Sequence, residues 1–437
     1  MRSPDTFEET VRMPSFRIIE SGTHAEAPER LPFDAIETLL RQRLERGGDS
    51  AAIDAVDLIL LQAVPHRASD IHFEPWRDSL TVRYRIDGIL HDVAHLPHHH
   101  HAWITTRLKI VARIATYHRD TPQDGRIEPD ATSCGRAMRV STFPTVNGEK
   151  VTVRMLDTPD GMLPLEGLGF DAALVDSLRE LTNRPSGTLL LTGPSSSGKT
   201  TTIYALLRAI IQSRKPAPHV VAIEDPVEYR MAQITQTEIN PHTGLTYDEA
   251  LRAVLRQDPE VIMLGEIRDP ATAHAAIQAG LTGHLVISTI HSGTAAGVFT
   301  RLLDMGIEPF LVASSVTGVL AQRLVRVNCP TCSVPITPDD GICARYGITA
   351  DAGEFRAGSG CPDCESIGFR GRTAMGELLT VDETMADLIL NRSRTAVLQN
   401  AAVAAGMTTL ENAGVACAAA GVTTLTELRR VLPPGIV

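Results

Sequence analysis

The stretch GPSSSGKTTT, residues 193–202, sits between the apolar run TLLLT and the segment IYALLRAII. Gly193, Gly198, Lys199 and Thr200 satisfy G-x-x-x-x-G-K-[ST] at a strand-to-helix turn, the context in which that spacing builds a phosphate cradle. The glycines let backbone N–H groups face phosphate oxygens, Lys199 reaches the β and γ oxygens, and the Thr200 hydroxyl offers a ligand to Mg²⁺. Nucleotide contacts are therefore expected from Gly193, Pro194, Ser195, Ser196, Ser197, Gly198, Lys199, Thr200 and Thr201. A glycine-rich turn that merely carried a lysine would not need strand, loop and helix to agree.

Carboxylates are expected at the same rim, because ligands in open parallel sheets gather beyond the carboxyl ends of strands. HVVAI delivers Glu224 and Asp225 there, and VIMLG delivers Glu266. Gly265 stands where many P-loop enzymes carry a magnesium-binding Asp, so Glu266 must serve alone or through water. Two carboxylates beside one metal nucleotide suit a division of labour: one orients attacking water and the other supports Mg²⁺. The competing reading makes either Glu a capping or solvated loop residue, since EDP is also ordinary turn chemistry. Thr246 to Glu249 reads as a capping box opening a helix that puts Arg252 and Arg256 on one face, to meet phosphates, a neighbouring subunit or only solvent. His284 and His291 bracket the strand LVIST, about 20 Å apart if it is straight. Only His291 falls on the phosphate side; His284 reads as a structural or interface residue.

Cys329-Pro-Thr-Cys332 and Cys361-Pro-Asp-Cys364 offer four thiolates, a set that suits tetrahedral structural Zn²⁺ and leaves no coordination site for chemistry. The alternative is reduced, unligated thiols. The 28 residues between the pairs require a folded excursion, and Cys343 within it is a competing ligand. Cys134 and Cys417 read as ordinary small residues. The run His98 to His101 reads as a solvated loop after Pro97 rather than a metal site, because adjacent imidazoles have no scaffold fixing their geometry.

The elements that must hold these groups follow from pattern. At 437 residues, about three domains are expected. With 41 Lys and Arg against 52 Asp and Glu, the net charge of −11 argues against nonspecific adhesion to nucleic acid or an anionic membrane. The opening MRSPDTFEETVRM is acidic where a secretory signal is apolar, which predicts no export and a reducing cytosol, where paired thiols hold metal. The longest stretch without Asp, Glu, Lys or Arg, Pro270 to Thr300, is broken by histidines and glycines and reads as a helix plus a buried strand, not a membrane span. Residues 1–30 read as a flexible arm, and 31–156 as a small α/β domain: helical spacing to Pro65, then strands SDIHFEP and SLTVRYRIDG. Residues 157–168 read as a linker, 169–327 as the P-loop domain, 328–374 as the four-cysteine zinc-binding segment and 375–437 as a helical tail. Apolar strands alternating with helices in the P-loop domain imply a parallel sheet covered on both faces.

In order and spacing, GPSSSGKTTTIY, AIEDPVEY, LRAVLRQDPEVIMLGEIRD and TGHLVISTIH resemble the hexameric ATPases that power type II secretion and type IV pilus assembly. RASDIHFEP, RYRIDG, TPQDGR and RVSTFPTVNGEK upstream, and the two CxxC pairs followed by GFRGRTAMGELL downstream, extend the resemblance over residues 55 to 437. It implies an α/β fold: a RecA-like P-loop motor domain, a preceding small α/β (PAS-like) domain, and a C-terminal zinc-binding plus helical segment. It also implies that Glu224 polarises the attacking water, Glu266 supports Mg²⁺, and His291 with His284 senses the γ-phosphate. Arg139 and Arg154 from the preceding domain, with Arg252 and Arg256, would compensate phosphate charge. ATP, Mg²⁺ and Zn²⁺ are the expected cofactors. The expected partners are five further copies in a homo-hexamer and the inner-membrane platform and cytoplasmic docking proteins of a secretion or pilus machine, with no direct nucleic acid, at the cytoplasmic face of the inner membrane.

Three departures from the family pattern stand out. The large additional N-terminal docking domain of many members is expected to be missing or reduced to the short arm. SGTAAG follows His291 where an Asn-Asp pair is usual, and TYHRDTPQDGR is less basic than is typical. The rival readings are a nucleic-acid translocase, against which the acidic total and few aromatics weigh, a nonhydrolytic nucleotide-binding scaffold, and a pilus retraction motor, a class that generally lacks the paired CxxC segment.

Overall fold

In a computed structural model, which describes residues 29–47, 49–156, 163–240 and 243–432, the chain forms two compact units that meet in sequence near residue 162. Residues 1–28 of the N-terminal arm and residues 157–162 of the expected linker lie outside the described residues.

The first unit opens with helices α1 (Phe33–Glu45) and α2 (Asp49–Ala63), followed by strands β1 (Ala68–Pro75), β2 (Ser79–Ile86) and β3 (Ile89–Pro97). Helix α3 (His101–Val111) and strands β4 (Gln123–Ile127), β5 (Met138–Thr145) and β6 (Gly148–Met155) complete it. The strands form one antiparallel sheet in the order β3-β2-β1-β6-β5-β4. In β2 the alternation is literal: Val82, Tyr84 and Ile86 are buried while Arg83 and Arg85 are not. Ile36, Leu40 and Leu44 of α1 share a core with Ile59, Phe73 and Tyr84, each such side chain contributing about 1.5–3 kcal/mol by leaving water.

The histidine run is not a solvated loop. His98–His100 make a 3₁₀ turn, His101 opens α3, and His100 and His101 are 7% and 8% exposed. The reason is tertiary: His101 Nε2 donates to the Glu149 carbonyl at 2.8 Å, and Glu149 in turn pairs with the buried Lys109 of α3.

The second unit runs through α4 (Ala172–Asn183), β7 (Gly187–Thr192), α5 (Lys199–Ser213), β8 (Val220–Glu224), β9 (Thr235–Glu238), α6 (Tyr247–Val254), β10 (Val261–Ile267) and α7 (Pro270–Leu281). It continues with β11 (Leu285–Ile290), α8 (Ala295–Asp304), α9 (Pro309–Ser315), β12 (Val316–Asn328), β13 (Ser333–Pro335), α10 (Asp340–Arg345), β14 (Arg356–Gly358) and β15 (Phe369–Thr380). Helices α11 (Glu383–Leu390), α12 (Thr395–Ala404), α13 (Leu410–Ala419) and α14 (Leu425–Val431) close it. The main sheet has the order β15-β12-β7-β11-β10-β8-β9, parallel except for the β12–β15 pair. β7, β8 and β11 are buried along their whole length, as strands covered on both faces must be.

The P-loop sheet does not stop at residue 327. β12 and β15 are hydrogen-bonded partners in it, and the Cys-bearing segment is an excursion between them. Leu165 and Leu168, within the stretch expected to be a linker, are 1% and 5% exposed and pack on α4 and α5, with the Leu168 carbonyl accepting from Ala374 N at 2.9 Å. No helix among the described residues is long and apolar enough to cross a membrane.

Candidate functional site

β7 delivers Thr192 to the carboxyl rim of the sheet, and the chain then turns through residues 193–198 into α5. Gly193 has φ +148 and Gly198 φ +87, where a side chain is strained. A Cβ on Gly193 would stand 2.6 Å from the Gln322 carbonyl oxygen and 2.7 Å from Ser197 Oγ. The loop is thus held close to β12, with its backbone turned over the N-terminus of a 15-residue helix, an anion site by geometry and dipole. Pro194, Ser195 and Ser196 are exposed, Ser197 is buried, and Thr200 and Thr201 are half-buried in the first turn of α5. Lys199 Nζ donates to the carbonyls of Gly193 and Pro194, both at 2.9 Å. Burial lowers its pKa, the Glu266 carboxylate opposes that, and the Arg323 guanidinium adds to it.

Glu266, near the end of β10, and His291, just past the end of β11, come together at this rim: His291 Nε2 lies 3.5 Å from Glu266 Oε2. Arg268 donates to Glu266 and reaches Asp225 at 3.5 Å, so the carboxylate is held between a cation and an imidazole. Gly265 also has a local cause. A Cβ there would lie 2.8 Å from the Tyr247 hydroxyl, which occupies the space an Asp would need.

Glu224 ends β8 and is 3% exposed. Tyr204 of α5 donates its hydroxyl to Glu224 Oε2 at 2.6 Å, and Gln236 of β9 donates to Oε1 at 3.0 Å. Burial pushes this carboxyl above its usual range; the Tyr204 and Gln236 hydrogen bonds pull it back, and the charge of Glu228 raises it further.

The remaining expected residues lie apart. His284 precedes β11, where Gly187 N donates to its carbonyl and its Nδ1 lies 3.1 Å from the Ala279 carbonyl oxygen. Gly187 is the first residue of β7 and Gly193 follows its last, so the structure corrects the expectation that His284 belongs to the phosphate site: in this unit it stands at the opposite end of the strands. Arg252 Nε donates to Asp248 at 3.0 Å and Arg256 to the Arg252 carbonyl, both exposed on or just after α6. In the first unit, Arg139 of β5 lies 3.5 Å from Asp124, and Arg154 of β6 donates to the buried Asp70 at 2.9 Å.

Several contributors were not foreseen. Thr192 Oγ1 donates to the Ser292 carbonyl at 3.0 Å and accepts from Ser292 N at 2.8 Å, joining the loop after His291 to the strand before the P-loop. Gln322 Nε2 donates to the Ser197 carbonyl at 2.7 Å, and the buried Arg323 donates to the Gly293 carbonyl at 3.0 Å. The available signal was the polar pair QR inside the apolar run VTGVLAQRLVRV.

The four sulfurs of Cys329, Cys332, Cys361 and Cys364 lie within 4.8 Å of one another, with closest pairs at 3.8, 3.8 and 3.7 Å. Four thiolates each about 2.3 Å from one Zn²⁺ in a tetrahedron stand about 3.8 Å apart, so this donor set fits that ion. Backbone N–H groups of Gly360, Cys361 and Gly368 donate to the sulfurs, which favours thiolates. Cys343 is not a competitor: it is buried in the hydrophobic core from α10, as Cys417 is from α13.

Residues 45–430 match the family model described as type II/IV secretion system protein. The chain is 42% identical over 389 residues to a type II secretion system protein E of Pseudomonas aeruginosa, covering 89% of this chain and 77% of the relative. It is 42% identical over 386 residues to the type IV pilus assembly ATPase PilB of Myxococcus xanthus, covering 87% of this chain and 68% of the relative. The X-ray structure of the Yersinia pseudotuberculosis ATPase DotB superposes with a TM-score of 0.63 at 19% identity, over 97% of this chain and 98% of that one, a likeness of fold. On a match spanning nearly all the described residues, the chain belongs to the type II/IV secretion system protein family.

Proposed function

We propose that this protein is an ATPase that works as a homo-hexamer at the cytoplasmic face of the inner membrane. It hydrolyses ATP with Mg²⁺ to drive assembly of a type II secretion pseudopilus or a type IV pilus through a membrane platform and docking proteins. The observation that carries the reading is the convergence of the P-loop, Lys199, Glu266 and His291 at one sheet rim, in a chain 42% identical to relatives named for those machines.

In this reading the P-loop amides and Lys199 hold the β and γ phosphates, and residues 194–201 shape the cradle. Mg²⁺, when bound, neutralises charge on the phosphate oxygens; Thr200 and Glu266 are the residues to hold it. His291, 3.5 Å from Glu266, reports the γ-phosphate to the loop that follows it. Glu224 orients the attacking water, its ionised form favoured by Tyr204 and Gln236. Arg252 and Arg256, with Arg139 and Arg154, compensate phosphate charge. Zn²⁺ held by the four cysteines ties down the excursion between β12 and β15.

Magnesium-dependent ATP turnover by the purified protein tests this directly. Wild type is expected to turn over, and Lys199→Ala and Glu266→Gln to lose most of the rate while remaining folded. A wild type that cleaves no ATP, or a Lys199→Ala variant as fast as wild type, overturns it.

A further inference from the structure

Glu377 of β15 is 1% exposed and touches none of the residues assigned above. Its two oxygens are divided between two parts of the fold. Oε1 accepts from Ala295 N, the first residue of α8, at 3.2 Å. Oε2 accepts from Gln399 Nε2 of α12 and from Leu410 N, the first residue of α13, both at 3.2 Å. One buried carboxylate thus receives the start of α8 on one side and two C-terminal helices on the other. All three donors are consumed by it, and a buried carboxylate is stable there only because they are.

What makes the start of α8 consequential is where it comes from. The segment Ser292 to Thr294 joins His291 to α8, and it is pinned by residues that flank or hold the phosphate cradle. Thr192 grips Ser292 in both directions, and Arg323 holds the Gly293 carbonyl. The residue before Arg323, Gln322, holds the Ser197 carbonyl inside the P-loop. The Glu377 charge also acts on the Arg323 guanidinium, opposing the effect of burial. A second bond, Thr300 Oγ1 to Thr395 Oγ1 at 2.8 Å, joins α8 to α12 directly. From Ser197 to Leu410 the path is continuous through hydrogen-bonded, mostly buried groups.

We propose that Glu377 is a positioning residue that couples α12 and α13 to the loop after His291, so that the C-terminal helices and the phosphate cradle change state together. This rests on the nucleotide-site reading above. Coupling of this kind is reciprocal: whatever the helices do to the loop, nucleotide in the cradle does to the helices.

The test is amide hydrogen exchange of the full chain with and without MgADP, in wild type and in Glu377→Gln. Glutamine keeps the shape, but its oxygen serves only one side and its NH₂ opposes the N–H donors on the other. In wild type MgADP is expected to slow exchange both at residues 292–297 and at 396–412; in the variant the first response persists and the second disappears. In the same preparations kcat for ATP, counted per MgADP-binding site so that unfolded protein does not enter it, is expected to fall about tenfold with KM changed less than about threefold. Equal responses at 396–412 in variant and wild type, or none in wild type, overturn the coupling. If Glu377→Gln does not fold, Gln399→Ala, which withdraws only the α12 donor, takes its place and is held to the same outcomes. Absence of ATP turnover in wild type would sink the proposed function, while the exchange measurement with MgADP would still decide the coupling.

Discussion

Tyr204→Phe removes one oxygen from a core position in α5, leaving the ring, which is fully buried, in place. The lost hydroxyl is the 2.6 Å donor to Glu224 Oε2; the carboxylate keeps Gln236 at 3.0 Å and a backbone hydrogen bond from Glu228. Hydrogen bonds to a charged group are worth about 1.5–3 kcal/mol, and here the charged form is the one favoured. Burial already raises the Glu224 carboxyl, the Glu228 charge raises it further, and Tyr204 is the stronger of two side chains opposing them. Without that hydroxyl the carboxyl rises. Tyr204 itself stays a donor throughout, since burial and the Glu224 charge drive its own ionisation far upward. If ionised Glu224 orients the attacking water, kcat/KM for MgATP plotted against pH has an acidic limb, and in the variant that limb moves to higher pH. On the limb, about 1.4 kcal/mol corresponds to tenfold, so the variant runs about tenfold slower or worse than wild type there. On the alkaline side the two converge. Superposable acidic limbs in wild type and variant, or a limb moved to lower pH, would refute the reasoning and remove Glu224 from its proposed role.

Glu427 of α14 is 1% exposed and takes hydrogen bonds from Arg326 of β12 and from Arg430. Burial alone would raise this carboxyl, but the Arg430 and Arg326 hydrogen bonds outweigh it and hold it below its usual range. Glu427→Ala leaves the largely buried Arg326 uncompensated and is expected to cost about 3–5 kcal/mol in urea unfolding at pH 7. Because the folded pKa is depressed, wild type has this contribution above the unfolded value of about 4.3 and loses it as pH falls through the folded one, so the difference between variant and wild type shrinks in acid. A difference unchanged between pH 7 and pH 3 would contradict this. Cys361→Ser is expected to lower zinc from about one per chain toward zero and to speed amide exchange in residues 329–368, with the P-loop unaffected; metal analysis reporting no zinc in wild type defeats it. Gly265→Asp, which inserts the carboxylate many P-loop enzymes carry, is expected to destabilise by about 1–3 kcal/mol because its Cβ meets the Tyr247 hydroxyl at 2.8 Å; a gain in both stability and turnover would show that Tyr247 yields freely.

Features written in contiguous residues were legible before any fold was known. The phosphate cradle is one, since its glycines, lysine and threonine act through a single strand-turn-helix whose geometry is set by neighbours in the chain. The two CxxC knuckles are another, because two residues fix the spacing inside each pair. Alternation in β2 and the continuous apolar runs of β7, β8 and β11 declared which strands are half-buried and which are covered twice.

What only the tertiary structure decided are the partners separated by long stretches of chain. Nothing local distinguishes Tyr204 in IYALLRAII from its apolar neighbours as core filling; its hydroxyl matters because β8 brings Glu224 beside it. Gln322 reads as a stray polar residue in an apolar run and becomes a bracket of the cradle only because β12 pairs with β7, while Glu377 reaches the start of α8 because β15 pairs with β12. The histidine run went the same way, drawn inward by the Glu149 carbonyl 48 residues on. Periodicity reports how much of a strand or helix is covered, whereas a buried polar group is stabilised by one specific donor or acceptor, and which group that is depends on strand order and register.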